Sequence, residues 1–351
     1  MTKFAKKTKL AKKITSKEFL TEGRRYPIVD VRTAKEYNYG HIPGAVNIPL
    51  FTDEERAEVG TAYKKQGKQK AMLIGLEKVG PKMRIIAEQA LEIAKDGKLL
   101  VHCWRGGMRS ESMAWLFERV GIECQLLRGG YKAYRRYAKN ELSSKANLII
   151  LSGSTGSGKT DVLKELQNLG EQIIDLEGIA HHKGSAFGAI GEKKQHSTEQ
   201  FENNLHLAFS KLDLKKQIWV EDESKSIGKN FIPDEFFKQM RKAPVLKINI
   251  PKQERIKRLV KDYTFVDKEI LIYHLNRIKK RLGPKETQMA IESVEKGEMA
   301  IAVDISLSFY DKAYAYGLSK RNIKMIQELD LKYDKPKENA QKILEFKIQS
   351  I

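Results

Sequence analysis

Cysteine is scarce in this chain of 351 residues: only Cys103 and Cys124 occur. Two cysteines with no zinc-ligand spacing exclude a disulfide framework and fit a reducing cytoplasm. Long apolar runs are missing too. None approaches the roughly 18 residues of a membrane span, so no membrane association is expected. The basic start, MTKFAKKTKLAKK, lacks the apolar segment of a secretory signal. It reads either as a solvated tail or as an arm that touches a polyanion. There is no internal repeat and no low-complexity tract. Acidic residues are outnumbered, 45 against 65 Lys and Arg, which gives a net charge of +20. That excess suggests a polyanionic partner, most often nucleic acid, against the alternative of solubility alone.

The length predicts two domains. Residues 1–14 form the basic tail. Residues 15–137 alternate strands and helices: YPIVDVR, AVNIP, KLLVHC and ECQLLRGG read as strands, residues 51–98 as mostly helical, and SESMAWLFERVG as a helix. Residues 138–146 are the linker. Residues 147–351 alternate again, with strands in NLIILSG, EQIIDLEG, KQIWVEDES and APVLKINIP, and then turn helical and basic from about Pro251. Both parts are therefore expected to be α/β with parallel sheets.

Two loops carry the chemistry. In VHCWRGGMRS, a strand ends at Cys103 and a helix follows. Trp104, Arg105, Gly106, Gly107, Met108, Arg109 and Ser110 would then form an anion cradle. Backbone N–H groups that converge on a sulfur favour its thiolate, the nucleophilic form. Arg105 and Arg109 add charge, or one of them pairs with a nearby carboxylate. Cys124 reads as core. In LSGSTGSGKT, residues Gly153, Ser154, Thr155, Gly156, Ser157, Gly158, Lys159 and Thr160 match the full P-loop pattern between a strand and a helix. The loop is expected to wrap a diphosphate, with Lys159 on its terminal phosphate and Thr160 on Mg²⁺. Glu221 and Asp222, at the end of a neighbouring strand, are the expected acidic partners of that Mg²⁺. Asp175 and Glu177 reach the same edge. Arg255 and Arg258, one helical turn apart, are either a phosphate clamp or part of a solvated basic face. His181 and His182 are adjacent and are not expected to bind zinc.

IVDVRTAKEYNYGHIPGAVNIP, VHCWRGGMRS and LLRGGYKAY together resemble a rhodanese domain. The resemblance implies a loop cysteine that carries sulfur or selenium, and it makes Asp30, Arg32 and Glu36 scaffold. Five residues separate Cys103 from Arg109, as in the phosphatases of that fold, which suits a phosphate-like anion. CWRGGMRS, GSTGSGKT, DLEGIAHHKGSAFG, WVEDES and FYDKAY, in that order, resemble the tRNA 2-selenouridine synthase family from about residue 15 to 320. This implies a rhodanese-like domain followed by a P-loop NTPase-like α/β domain with a helical basic C-terminal region. It implies replacement of sulfur by selenium in the wobble 2-thiouridine of tRNA, through an S-geranyl intermediate. Geranyl diphosphate and selenophosphate are the implied co-substrates, and a selenophosphate-producing enzyme the donor source. Arg277, Lys279, Lys280 and Arg281 suit the tRNA backbone. Three other readings stand beside it: an ATP-dependent tRNA sulfurtransferase with a Cys103 persulfide, a phosphatase built on the cysteine loop, and a non-catalytic RNA-binding protein.

Overall fold

The structure is a computed structural model that describes residues 11–346. Its contacts divide the chain into two units, Met1–Glu141 and Leu142–Ile351.

The first unit is built on five parallel strands: β1 (Lys12–Ile14), β2 (Ile28–Asp30), β3 (Val46–Asn47), β4 (Lys98–His102) and β5 (Glu123–Leu127), in the order β1-β5-β4-β2-β3. β2 and β4 are almost wholly buried, as the apolar runs at Ile28–Val29 and Leu99–Val101 require of central parallel strands. One core gathers Val29, Leu99, Val101, Met113 and Phe117; another gathers Phe19, Ile28, Leu100, Tyr131 and Tyr134. Cys124 fills the first core, and burial, then Glu118 and Glu123, push its thiol up to about 12. Of the stretch expected to be a tail, residues 1–10 lie outside the described residues, and Lys12–Ile14 is an edge strand on β5. The helix Gly130–Leu142 runs through the first half of the expected linker.

The second unit repeats the layout with β6 (Asn147–Ser152), β7 (Gln172–Ile174), β8 (Gln217–Glu221), β11 (Val245–Asn249) and β12 (Ile326–Asp330), all parallel, in the order β12-β11-β6-β8-β7. A small antiparallel pair, β9 (Ser226–Ile227) and β10 (Asn230–Phe231), follows β8. Beyond β11 the chain is helical, as expected: Lys252–Tyr263, Lys268–Leu282, Pro284–Lys296 and Met299–Ser319. β12 then returns to the sheet edge.

Asp30 and Arg32 form a buried ion pair of 2.6 Å. Arg32 also donates to the Gly40 carbonyl at 2.6 Å and lies 3.8 Å over the Tyr131 ring. Burial alone would push the Asp30 carboxyl up, but His102 and Arg32 outweigh it and hold the group below its ordinary 3.8. Burial lowers the His102 pKa, although the charge of Asp30 acts the other way. Asp30 therefore contributes stability above about pH 4, and that stability is lost as pH falls through its lower folded value. Arg32→Ala strands the carboxylate and is expected to cost about 3–5 kcal/mol in urea denaturation at pH 7. The deficit should shrink below pH 4, where a protonated Asp30 no longer needs the cation. A deficit independent of pH would contradict the assignment.

Candidate functional site

β4 carries the chain out of the core to Cys103, and the helix Met108–Arg119 begins five residues later. The intervening turn is fixed by backbone. Tyr131 N donates to Cys103 O at 2.8 Å, and Lys132 N to Trp104 O at 3.0 Å. Gly106 and Gly130 both have positive φ, +65° and +61°. A Cβ on Gly130 would lie 2.5 Å from Gly106 N and 2.7 Å from Arg105 N, and nearer still to Cys103 O. The RGG turn after β5 thus locks the cysteine loop, and only glycine fits there.

Cys103 is 3% exposed, with its Sγ 3.3 Å from Ser110 Oγ and 3.9 Å from Gly107 O. Trp104 packs on Tyr131, with centroids 5.8 Å apart, while Arg105 and Met108 are exposed. Arg109 donates to Glu36 Oε2 at 2.7 Å. Glu36 closes the capping box of its own helix with Thr33 and also holds the cradle arginine, so it is scaffold with a place at the site. Burial would raise its carboxyl; Arg109 and the Thr33 N–H overcome that and hold it below the ordinary value. Arg56, from the helix Asp53–Lys65, was not singled out by the sequence. Burial, then the positive charge of Arg109, lower its pKa, while Glu36 and Cys103 act the other way.

In the second unit, β6 leads into Gly153–Thr160 and the helix Lys159–Asn168. Gly156 and Gly158 have φ of +78° and +72°. Lys159 Nζ donates to Gly153 O at 2.8 Å, and the Ser157 hydroxyl is buried without a partner. The loop borders a cavity of about 660 Å³. Lys159, Thr160, Glu177, Glu223, Arg258 and Tyr314 are among its walls.

The acidic residues at this strand edge meet different partners. Thr160 Oγ1 donates to Glu177 Oε2 at 2.6 Å. Glu221 is fully buried and turns away: its carboxylate accepts from the N–H groups of Leu176, at 2.8 Å, and Glu177, at 3.3 Å. Asp222 accepts from Ser152 Oγ at 2.5 Å and pairs with Arg321, and Tyr314 Oη is 2.5 Å from the same Ser152 oxygen. Burial, then the neighbouring Glu177, push Glu221 and Glu223 well above the ordinary carboxylate range; Asp175 adds to this at Glu221, and Lys159 tempers it at Glu223. Arg258 reaches the cavity but is paired with Asp334 at 2.8 Å and with Asp161. Arg255 stands behind the loop, donating to Thr155 O at 3.1 Å and to both Asp311 oxygens at 2.8 Å. His181 and His182 do not line the cavity; Lys183, Gly184 and Ser185 do.

A second, apolar pocket opens beside the loop, lined by Phe187, Leu271, Leu275, Val294, Met299 and Val303 among others. Thr155, Ser185, Phe187, Leu259, Tyr263 and Tyr310 line both spaces. Sequence patterning could not find this pocket, because its walls come from segments more than a hundred residues apart.

Family models match both units: the tRNA 2-selenouridine synthase AAA domain over residues 146–334 and the rhodanese-like domain over residues 8–137. The tRNA 2-selenouridine synthase of Shewanella sediminis is 35% identical over 337 residues, 86% of this chain and 90% of that protein. The chain belongs to the tRNA 2-selenouridine synthase family. The synthase of Nitrosomonas europaea is 37% identical over 246 residues, which cover 68% of this chain and 63% of that protein's length. A rhodanese-related protein from Thermoplasma volcanium aligns with 36% of this chain and 92% of its own at 18% identity, with a TM-score of 0.23. Among the described residues no helix is long and apolar enough to cross a membrane.

The interlock of Gly130 with the cysteine loop gives a direct test. Gly130→Ala introduces strain of about 1–3 kcal/mol and should open the loop, raising the rate of Cys103 alkylation by iodoacetamide about tenfold or more. Cys124 should stay unmodified in both proteins. Unchanged Cys103 labelling, read by peptide mass spectrometry, would show that the turn does not hold the loop.

Proposed function

We propose that the protein is a tRNA 2-selenouridine synthase that exchanges sulfur for selenium at a wobble 2-thiouridine, through an S-geranyl intermediate. Membership of the family supports the tRNA modification. The observation that carries the geranyl step is the apolar pocket joined to the P-loop cavity through Thr155. A ligand with a diphosphate head and a hydrocarbon tail matches the polarity of that pair of spaces; the polar sugar and base of a nucleotide do not match the apolar one. The pocket's free volume, about 30 Å³, is narrow, so entry of a C10 chain requires the flexible Met299 and its neighbours to turn aside.

In the first step the thione sulfur attacks the allylic carbon, the carbon–oxygen bond breaks, and the electron pair leaves on the diphosphate. The uracil N3 proton is lost, giving a neutral thioether. The P-loop N–H groups and Lys159 hold the diphosphate before and after that bond breaks. In the second step the selenium of selenophosphate attacks C2, and the geranylthio group leaves and takes up a proton as geranylthiol. Water cleaves the phosphorus–selenium bond, which releases phosphate and leaves selenium on C2 with a proton back on N3. Cys103 serves this step: its loop, with Arg109 fixed by Glu36, is suited to the oxyanion of selenophosphate. The basic surface, Arg277, Lys279, Lys280 and Arg281 included, would meet the tRNA backbone.

Mass spectrometry of the wobble nucleoside tests the whole scheme. A 2-thiouridine tRNA incubated with Mg²⁺ and geranyl diphosphate should gain a geranyl group that Lys159→Ala abolishes. Selenophosphate should then give a selenium product that Cys103→Ala abolishes. A nucleoside that changes only with ATP and a persulfide donor would replace this reading with a sulfurtransferase. The pocket has its own test. Val303→Phe overfills it at a cost of about 1–3 kcal/mol and should weaken geranyl diphosphate about tenfold while sparing inorganic pyrophosphate. Equal loss of both ligands in calorimetry would show that the pocket does not hold the tail.

A further inference from the structure

One guanidinium near the cysteine loop is left over. Arg56 lies on the helix Asp53–Lys65, which the chain enters from the sheet edge that carries Cys103. There Leu50 N donates to Val31 O at 3.3 Å, and Val31 N to His102 O at 3.0 Å. Phe51 and Val59 pack with the core that also holds Cys103, and Arg56 sits one turn before Val59. Two acidic residues of this helix are used elsewhere, Glu55 on Lys82 at 2.5 Å and Glu58 on Lys78 at 3.0 Å. Arg109 is spent on Glu36, and Arg105 is exposed. Arg56 is half-buried, and its guanidinium makes no hydrogen bond or ion pair among the described residues. It rests across Gly60, where a Cβ would lie 2.6 Å from Nη1. Glycine inside a helix lowers its stability, and here it makes room for the cation. Burial and the charge of Arg109 both disfavour that cation, while Glu36 and Cys103 favour it. Two guanidinium groups and one carboxylate leave a positive charge unmatched near the thiol.

We propose that Arg56 binds the tetrahedral oxyanion of the selenium donor and holds it at Cys103, while Arg109, fixed by Glu36, shapes the loop. The inference rests on the reading that this loop receives a phosphate-bearing donor. A guanidinium stays charged when half-buried, and its planar fork of N–H groups matches two oxygens of a phosphate. Arg56 can turn from Gly60 to an anion without breaking an ion pair. Arg109 would first have to give up Glu36. An uncharged sulfur or selenium species gains nothing from such a group, so Arg56 selects for an oxyanion.

Protection of Cys103 from iodoacetamide by inorganic phosphate, read by peptide mass spectrometry, tests this on the full chain. In wild type, phosphate should slow the alkylation of Cys103 in a saturable way. Arg56→Ala should need about tenfold or more phosphate for half protection, and Arg56→Lys, which keeps the charge but not the fork, an intermediate amount. With an S-geranylated tRNA as acceptor, Arg56→Ala should raise the KM for selenophosphate about tenfold and change kcat by less than about threefold. Gly60→Ala keeps every charge but displaces the guanidinium. It should weaken protection about threefold or more, yet melt no lower than wild type, because alanine suits a helix better than glycine. If phosphate protects wild type and Arg56→Ala alike, the proposal is overturned and the anion reading of the loop stands. Equal losses in Arg56→Lys and Arg56→Ala, with a lowered Tm and full protection in Gly60→Ala, would make Arg56 structural and overturn it as well. If phosphate does not protect Cys103 in wild type, the proposal and the phosphate-bearing donor both fail.

Discussion

Tyr131 N and Lys132 N donate to the carbonyls of Cys103 and Trp104, and that pair of backbone bonds sets the geometry of the cysteine loop. With the carbonyls held by the turn after β5, the loop's own N–H groups can face the other way. The arrangement demands close approach of two backbones, and glycine at 106 and 130 is what lets them meet. Gly156 and Gly158 take left-handed conformations in the P-loop, where Gly158 faces Arg258 and Asp334 and Gly156 faces Leu259. In both units the loop leaves the carboxyl end of an interior strand, β4 or β6, with a strand on each side to support it. That edge of a parallel sheet is where helix N-termini gather, so the placement follows from topology as much as from motif.

The cations at the two cradles are mostly committed before any ligand arrives. Arg109 is tied to Glu36, Arg258 to Asp161 and Asp334, and Arg255 to Asp311. Such pairing fixes the side chains in place and lowers their net charge. The arginines therefore shape the sites more than they charge them. At the P-loop the imbalance runs toward negative, with Glu177, Glu221 and Glu223 all at one strand edge. Burying Glu221 and Glu223 beside the half-buried Glu177 is costly, and one Glu221 oxygen offsets part of that cost by accepting the N–H groups of Leu176 and Glu177.

The strands that carry both loops were legible because buried parallel strands are short apolar runs bounded by glycine and proline. β1 and β12 were not. They are edge strands of three and five residues, half polar, and they exist because β5 and β11 offer them an open edge. The loops themselves were legible because their spacing is local. What the sequence hid is every contact that folding brings from afar: Glu36 on Arg109, Glu177 on Thr160, Arg255 on Asp311. Three acidic residues in a row, Glu221, Asp222 and Glu223, could not be told apart by spacing. Alternation along the strand and the turn after it send them to three different partners. Glu221 faces a helix start, Asp222 an arginine, and Glu223 the cavity.

Arg255 ties the helical region to the P-loop. It joins Thr155 O of the loop to Asp311 on the helix Met299–Ser319, and it is itself nearly buried. Leu259, one turn further along the helix Lys252–Tyr263, touches the Cβ position of Gly156 and lines both spaces. The apolar pocket is thus hung on the phosphate loop by the same helix that braces the loop from behind. A shift of Thr155 on binding an anion would be felt by Arg255, and through Asp311 by the helix that contributes Met299, Val303 and Tyr310 to the pocket. The narrow pocket and the loop thus share Thr155 and Leu259 as walls, and Arg255 bonds the loop to the helix that forms the pocket's far side.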